Sequence, residues 1–123
     1  MHPARGLRVW EAASELADDV RHTVSRLPRG QRYKLVDQLV RAADSIAATI
    51  AEGSGRKTVA DQLNYYHMAL ASTSETLNHL KRCLSASLLP RRVYHRLANH
   101  ASVTHRMLSR LIRKLEGYNG PEI

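Results

Sequence analysis

Apolar residues recur along this chain at alternating steps of three and four. From about Leu7, the positions Trp10, Ala13, Ala17, Val20, Val24 and Leu27 form one stripe, and Glu11, Glu15, Asp18, Arg21 and Ser25 take the opposite side. A repeat averaging 3.5 residues is the seam of helices packed in a left-handed bundle. The pattern predicts a helix over about 7–27. Pro28-Arg29-Gly30 should end it, because proline lacks a donor and disfavours helix in the residue before it. A second helix is predicted over about 31–52, with Val36, Leu39, Ala43, Ile46 and Ile50 as its seam. Leu35, Val40, Ala42, Ala47 and Ala51 widen its apolar arc. Such a wide, small-residue face fits either deep burial in a bundle or a second contact with another subunit.

Gly53 is expected to end that helix as a left-handed cap. Thr58-Val59-Ala60-Asp61 has the form of a helix start, with Thr58 as N-cap. The third helix is predicted over about 59–88, with Leu63, Tyr66, Leu70, Thr73, Leu77, Leu80, Leu84 and Ser87/Leu88 inward. Pro90 suits the first position of a fourth helix, which should run over 90–116 with Leu97, Ala101, Thr104, Leu108, Leu111 and Leu115 inward. Gly117 caps it, and the tail from Tyr118 to Pro121 cannot continue it. Residues 1–6 read as a loose lead-in. Nothing reads as a strand or an interdomain linker. The prediction is all-α: one domain over residues 1–123, an up-down-up-down antiparallel four-helix bundle, since short connections force sequential helices to be antiparallel.

Composition supports that picture and adds charge. At 123 residues, with 43% hydrophobic content and no Phe, the chain can bury a core without disulfides or metal. The single Cys83 cannot form an internal disulfide, and no apolar run has the length of a signal peptide or membrane span. The expectation is a soluble, cytoplasmic protein with no membrane partner. The net charge of +8 is uneven: residues 1–80 hold ten Lys/Arg against nine Asp/Glu, whereas residues 81–123 hold nine against Glu116 and Glu122. That asymmetry points to an acidic partner, nucleic acid first, against the plainer reading of a solvated basic face.

The charge concentrates on the fourth helix. At 100° per residue, Arg92, Arg96, Asn99, Arg106, Arg110, Arg113 and Lys114 fall near one line, opposite the apolar seam. Guanidinium groups match phosphate oxygens in two-pronged geometry, so this line is the candidate contact for RNA or DNA. Other chemistry is poorly supported. The turn Gly53-Ser54-Gly55-Arg56-Lys57-Thr58 lacks the glycines of a phosphate-binding loop, because Ala51 and Arg56 occupy their places, and it follows a helix. None of the seven histidines is three or four residues from another, so no metal site is expected. Cys83 beside Lys81 and Arg82 admits a lowered thiol pKa, with a semi-buried structural cysteine the commoner alternative. Tyr33 and Tyr65 are candidates for stacking on bases, and Tyr66 reads as core. Arg41 and Glu75 are expected either to make buried or interfacial polar contacts that fix register, or to be solvent-exposed. No nucleophile has a visible base, which points to a non-enzymatic protein without cofactors.

Val9-Trp10, Leu27-Pro28, Gln38-Leu39-Val40-Arg41-Ala42-Ala43, Ser45-Ile46, Ile50-Ala51-Glu52-Gly53-Ser54-Gly55-Arg56, Ala71-Ser72 with Glu75, and Arg106-Met107-Leu108 form a recurring set of pieces. Together they resemble the bacterial four-helix-bundle proteins encoded within intervening sequences of large-subunit ribosomal RNA genes. The resemblance covers about residues 7–116. Val40, Ala47, Thr49, Ala71 and Leu77 depart from it, standing where that family's pattern has Arg, Pro, Asn, Gly and Glu. It implies a small cytosolic bundle that forms homo-oligomers, with a pentamer the expected form, and no established enzymatic activity. It also implies a structural or interface role for Arg41, Glu52, Gly53, Gly55, Arg56 and Glu75. A more distant likeness to accessory bundles of reverse transcriptases adds weight to nucleic-acid binding by fold-level analogy alone. Two functions follow: an oligomeric nucleic-acid-binding bundle, or an oligomeric scaffold whose partner is a protein.

Overall fold

The structure, a computed structural model, describes residues 7–27 and 33–117, apart from the side chain of Tyr33. The expected break at Pro28-Arg29-Gly30, the lead-in and the tail from Tyr118 lie outside the described residues. Four helices follow one another: α1 (Arg8–Ser25), α2 (Tyr33–Ser54), α3 (Val59–Ser85) and α4 (Arg91–Glu116). Each packs on its two neighbours in a closed square, α1 on α2 and α4, α3 on α2 and α4. Among the described residues no Cα–Cα distance between the diagonal pairs is 8 Å or less. Asp19 of α1 meets Arg96 of α4, Ser45 of α2 meets Ser72 of α3, and His67 of α3 meets Glu116 of α4. Sequential helices are therefore antiparallel, as the short connections require.

The second helix follows its pattern closely. Val36, Leu39, Ala43, Ile46 and Ile50 are all buried, with Ala42 beside them. In α4 the innermost line is Val93, Leu97, Ala101, Thr104, Leu108 and Ile112, and Leu111 and Leu115 are half-buried at its edge. α1 is shifted a little: Val9, Leu16 and Thr23 join Ala13, Ala17 and Val20 inside, while Trp10 and Val24 are half-buried.

α3 differs most. Its innermost line is Gln62, Tyr66, Ala69, Thr73, Thr76, Leu80 and Cys83. Leu63, Leu70, Leu77 and Leu84, expected as seam, are half-buried on the flank that turns towards α4. The smaller inner residues leave room for close packing. Their hydroxyls are satisfied locally: Thr73 Oγ1 donates to the Leu70 carbonyl at 2.7 Å and Thr76 Oγ1 to the Ser72 carbonyl at 2.8 Å. Thr104 in α4 does the same to His100. Buried polar groups with partners cost little.

Two turns explain the helix ends. Gly53 is not a left-handed cap: α2 continues through it to Ser54, and Gly53 is buried inside the helix. A Cβ there would lie 2.8 Å from Tyr65 Cβ and 2.9 Å from Tyr66 Cε1. Glycine is required because α3 crosses α2 at this point. Thr58 caps α3 as expected, its hydroxyl accepting from the Asp61 amide at 3.1 Å. α3 stops at Ser85, earlier than the predicted 88, because Ser87 takes a left-handed conformation with φ 60°. The Leu88 amide then donates to the Cys83 carbonyl and the Ser87 amide to that of Leu84, the paired bonds of a Schellman turn. Pro90 is the N-cap of α4 rather than its first residue.

Candidate nucleic-acid interface

α4 presents its basic line to solvent. Arg92, Arg96, Asn99, Arg106, Arg110, Arg113 and Lys114 are all exposed, and the buried line of the helix lies opposite. Among the described residues no carboxylate is within ion-pair distance of Arg92, Arg106, Arg110, Arg113 or Lys114. Arg96 is different. Its guanidinium donates to both carboxylate oxygens of Asp19, at 3.0 and 3.3 Å, and to the Thr23 hydroxyl at 2.9 Å. His100 Nδ1 lies 3.9 Å from the same carboxylate. Arg96 thus ties α4 to α1, and its charge is largely answered there.

α1 extends the basic surface, which the sequence reading missed. Arg8 lines a shallow groove with Arg110, Met107 and Leu111. At the other end of the bundle, His22 and Arg26 line a recess with Arg92 and Arg96. Arg8 and Arg26 stand about five helical turns apart, as do Arg92 and Arg110, so each pair keeps to one side of its helix. That spacing was available in the sequence. The acids between them, Glu11, Glu15, Asp18 and Asp19, obscured it.

The family-motif residues of the α2–α3 turn form a clasp. The Arg56 guanidinium lies 4.6 Å from the centre of the Tyr65 ring, donates to the Tyr65 hydroxyl at 2.6 Å and pairs with Glu52 at 3.2 Å. Buried Gln62 donates from Nε2 to the Arg56 carbonyl at 3.0 Å. One face of Tyr65, proposed above for base stacking, is therefore occupied by Arg56. Gly55 is exposed, and a Cβ there would meet only ordinary contacts, the nearest at 3.6 Å from the Glu52 carbonyl. Arg41 pairs with Asp37 at 3.1 Å on the surface, and Glu75 is exposed. Neither is buried in the chain. They line one groove between α2 and α3 with Gln38, Ala42, Ser45 and His79. Within it His79 Nδ1 is buried without a hydrogen-bond partner.

Cys83 is buried, and burial pushes its thiol pKa up, with only partial relief from Arg82, so the lowered pKa admitted by the sequence is not found. Tyr66 is likewise pushed up by burial. Among the described residues no three His, Cys, Asp or Glu side chains converge as metal ligands, and no helix is long and apolar enough to cross a membrane.

Together these features define a basic antiparallel four-helix bundle with a cationic α1/α4 face. The sequence model of the 23S rRNA-intervening sequence protein family matches residues 5–110, and the chain belongs to that family. Among solved structures it is similar to a protein of unknown function from the S23 ribosomal protein family of Bacteroides thetaiotaomicron. The two superpose with a TM-score of 0.80 at 24% identity, over 85% of this chain and 98% of that one, a likeness of fold. No curated protein matches the chain.

Proposed function

We propose that this chain is a non-enzymatic binding protein that holds nucleic acid, structured RNA first, through phosphate contacts on its α1/α4 face. The observation that carries the reading is the row of exposed α4 cations without carboxylate partners. Gathering such charges on one face costs the folded chain stability, since like charges repel, whereas a polyanion supplies the missing counter-charge and releases its own counterions. The family's name refers to 23S rRNA, which makes a ribosomal RNA fragment the first probe. Fluorescence anisotropy with that fragment and a matched duplex DNA, across a salt series, tests the reading. Affinity should fall log-linearly with salt, and Arg106→Gln with Arg110→Gln should reduce the slope by roughly 1 per arginine removed. Absence of binding at low salt would end the proposal.

A second reading, self-association or docking of a protein partner, draws on the α2–α3 groove. A buried ring nitrogen without a partner costs stability unless another molecule satisfies it, and His79 lies beside the motif residues Arg41 and Glu75. Light scattering after size-exclusion chromatography tests it. An oligomer, a five-fold ring included, should lose subunits on Arg41→Glu or His79→Ala, and a monomer at all concentrations would remove self-association. The cytoplasm is the setting this reading assumes, in keeping with a lone buried thiol.

A further inference from the structure

The recess between the end of α1 and the start of α4 has about 380 Å³ of space, within the range of small-ligand sites. His22, Thr23, Arg26, Leu27, Pro90, Arg92, Val93 and Arg96 line it. Its lining residues thus include three arginines, a histidine and a threonine but no Asp or Glu, and of the arginines Arg96 is already bonded to Asp19 and to the Thr23 hydroxyl. Asp19, one turn before Thr23 on α1, is engaged by Arg96. Arg91 and Arg92 occupy the first turn of α4, where an acid would be the favourable choice, and none is present. The negative end of α1 lies against the positive end of α4, so the two helix dipoles offset one another and the side chains decide the local field. Arg26 and Arg92 form no ion pair among the described residues.

We propose that this recess binds the terminal phosphate of a nucleic-acid strand, with Arg26 and Arg92 as its principal contacts and Arg96 alongside. The inference rests on the nucleic-acid reading above and sharpens it from a face to an end. A phosphomonoester carries about −1.5 to −2 charge and three acceptor oxygens, more than a backbone diester presents. The unpaired guanidiniums of Arg26 and Arg92 match that richer acceptor set by charge-assisted bonds, beside the Asp19-bonded Arg96. The exposed row at Arg106, Arg110 and Arg113, by contrast, is open along the helix and suits a passing backbone. Leu27, Val93 and Pro90 give the recess apolar walls against the sugar at the strand end.

The test compares one short RNA with a 5′-phosphate, with a 3′-phosphate, or with hydroxyls at both ends, by anisotropy at fixed salt. One phosphorylated form should bind about tenfold tighter than the hydroxyl form, the effect of a strong charge-assisted contact. Arg26→Gln with Arg92→Gln should erase that preference, whereas Arg106→Gln with Arg110→Gln should weaken all three RNAs alike. Both double variants change exposed side chains and should melt like the parent. Equal, salt-sensitive binding of all three RNAs would overturn the recess and leave the broader reading intact. If no RNA binds, the broader reading falls and the strand-end ligand with it. A titration with inorganic phosphate at constant ionic strength, read at the Arg92 and Val93 amides, then separates two results. Shifts that vanish in Arg26→Gln/Arg92→Gln would reassign the recess to free phosphate, and an absence of shifts would remove the phosphate site altogether.

Discussion

Gly53 shows how one residue sets the approach of two helices. Its α-hydrogen faces the Cβ of Tyr65 and the ring of Tyr66, and a methyl group there has no room. Gly53→Ala should therefore destabilise by about 1–3 kcal/mol, the usual cost of overpacking, even though alanine is the better helix former. Gly55→Ala serves as the control: it should stay within about 0.5 kcal/mol, because its Cβ makes only ordinary contacts. Urea melts of the two variants check this, and equal effects would refute the close approach. Burial at the Cys83 and Tyr66 positions gives a pH signature. Both groups are held neutral in the fold, so the unfolded chain loses their protons first as pH rises. Stability is then full below about pH 9 and falls above it. Thermal melts across that range should show the decline, and Cys83 should resist maleimide labelling until denaturant is added.

At the scale of the element, the end of α3 carries an avoidable cost. Ser87 holds the left-handed position of a Schellman turn that glycine fills without strain. Ser87→Gly should raise stability by up to about 1 kcal/mol, read as a shift of the urea midpoint; a loss of stability would mean that the serine side chain contributes something the turn geometry does not show. The same position explains why the end of α3 was illegible in the sequence, where no glycine marked the stop. α2 was legible because branched aliphatic residues at steps of three and four leave one face for the core. α3 was harder because Leu63, Leu70, Leu77 and Leu84 attract the eye at regular spacing. The closest packing is instead done by Ala69, Thr73, Thr76 and Cys83. Four of the seven residues on that inner line are small, and two of those four are threonines, so a search for large apolar residues passes over them. The basic line of α4 was readable residue by residue, but not the partner of Arg96, since Asp19 comes from a helix whose charges look balanced in sequence.

At the scale of the whole molecule, the antiparallel packing of α1 on α4 places exposed cations at both ends of their shared face. Arg8 joins Arg110 at one end and Arg26 joins Arg92 at the other, where Arg96 is already paired with Asp19. Five turns of helix separate the ends, about 27 Å at 1.5 Å per residue. Charges on each strand of duplex DNA recur every 3.4 Å, so a duplex of about 8 base pairs is needed to engage both ends at once. Binding should therefore depend on length as two linked contacts do: weak for shorter duplexes, then rising sharply once both ends are reached. The salt slope should steepen over the same range, because slope counts the phosphates engaged. Arg8→Gln with Arg110→Gln should flatten the rise and lower the affinity of the shortest duplexes only by the share that binds at that end. Anisotropy with duplexes of graded length checks this. A slope that does not change with length would mean that the phosphates are held at one end only, and that the charge at the other serves a different contact.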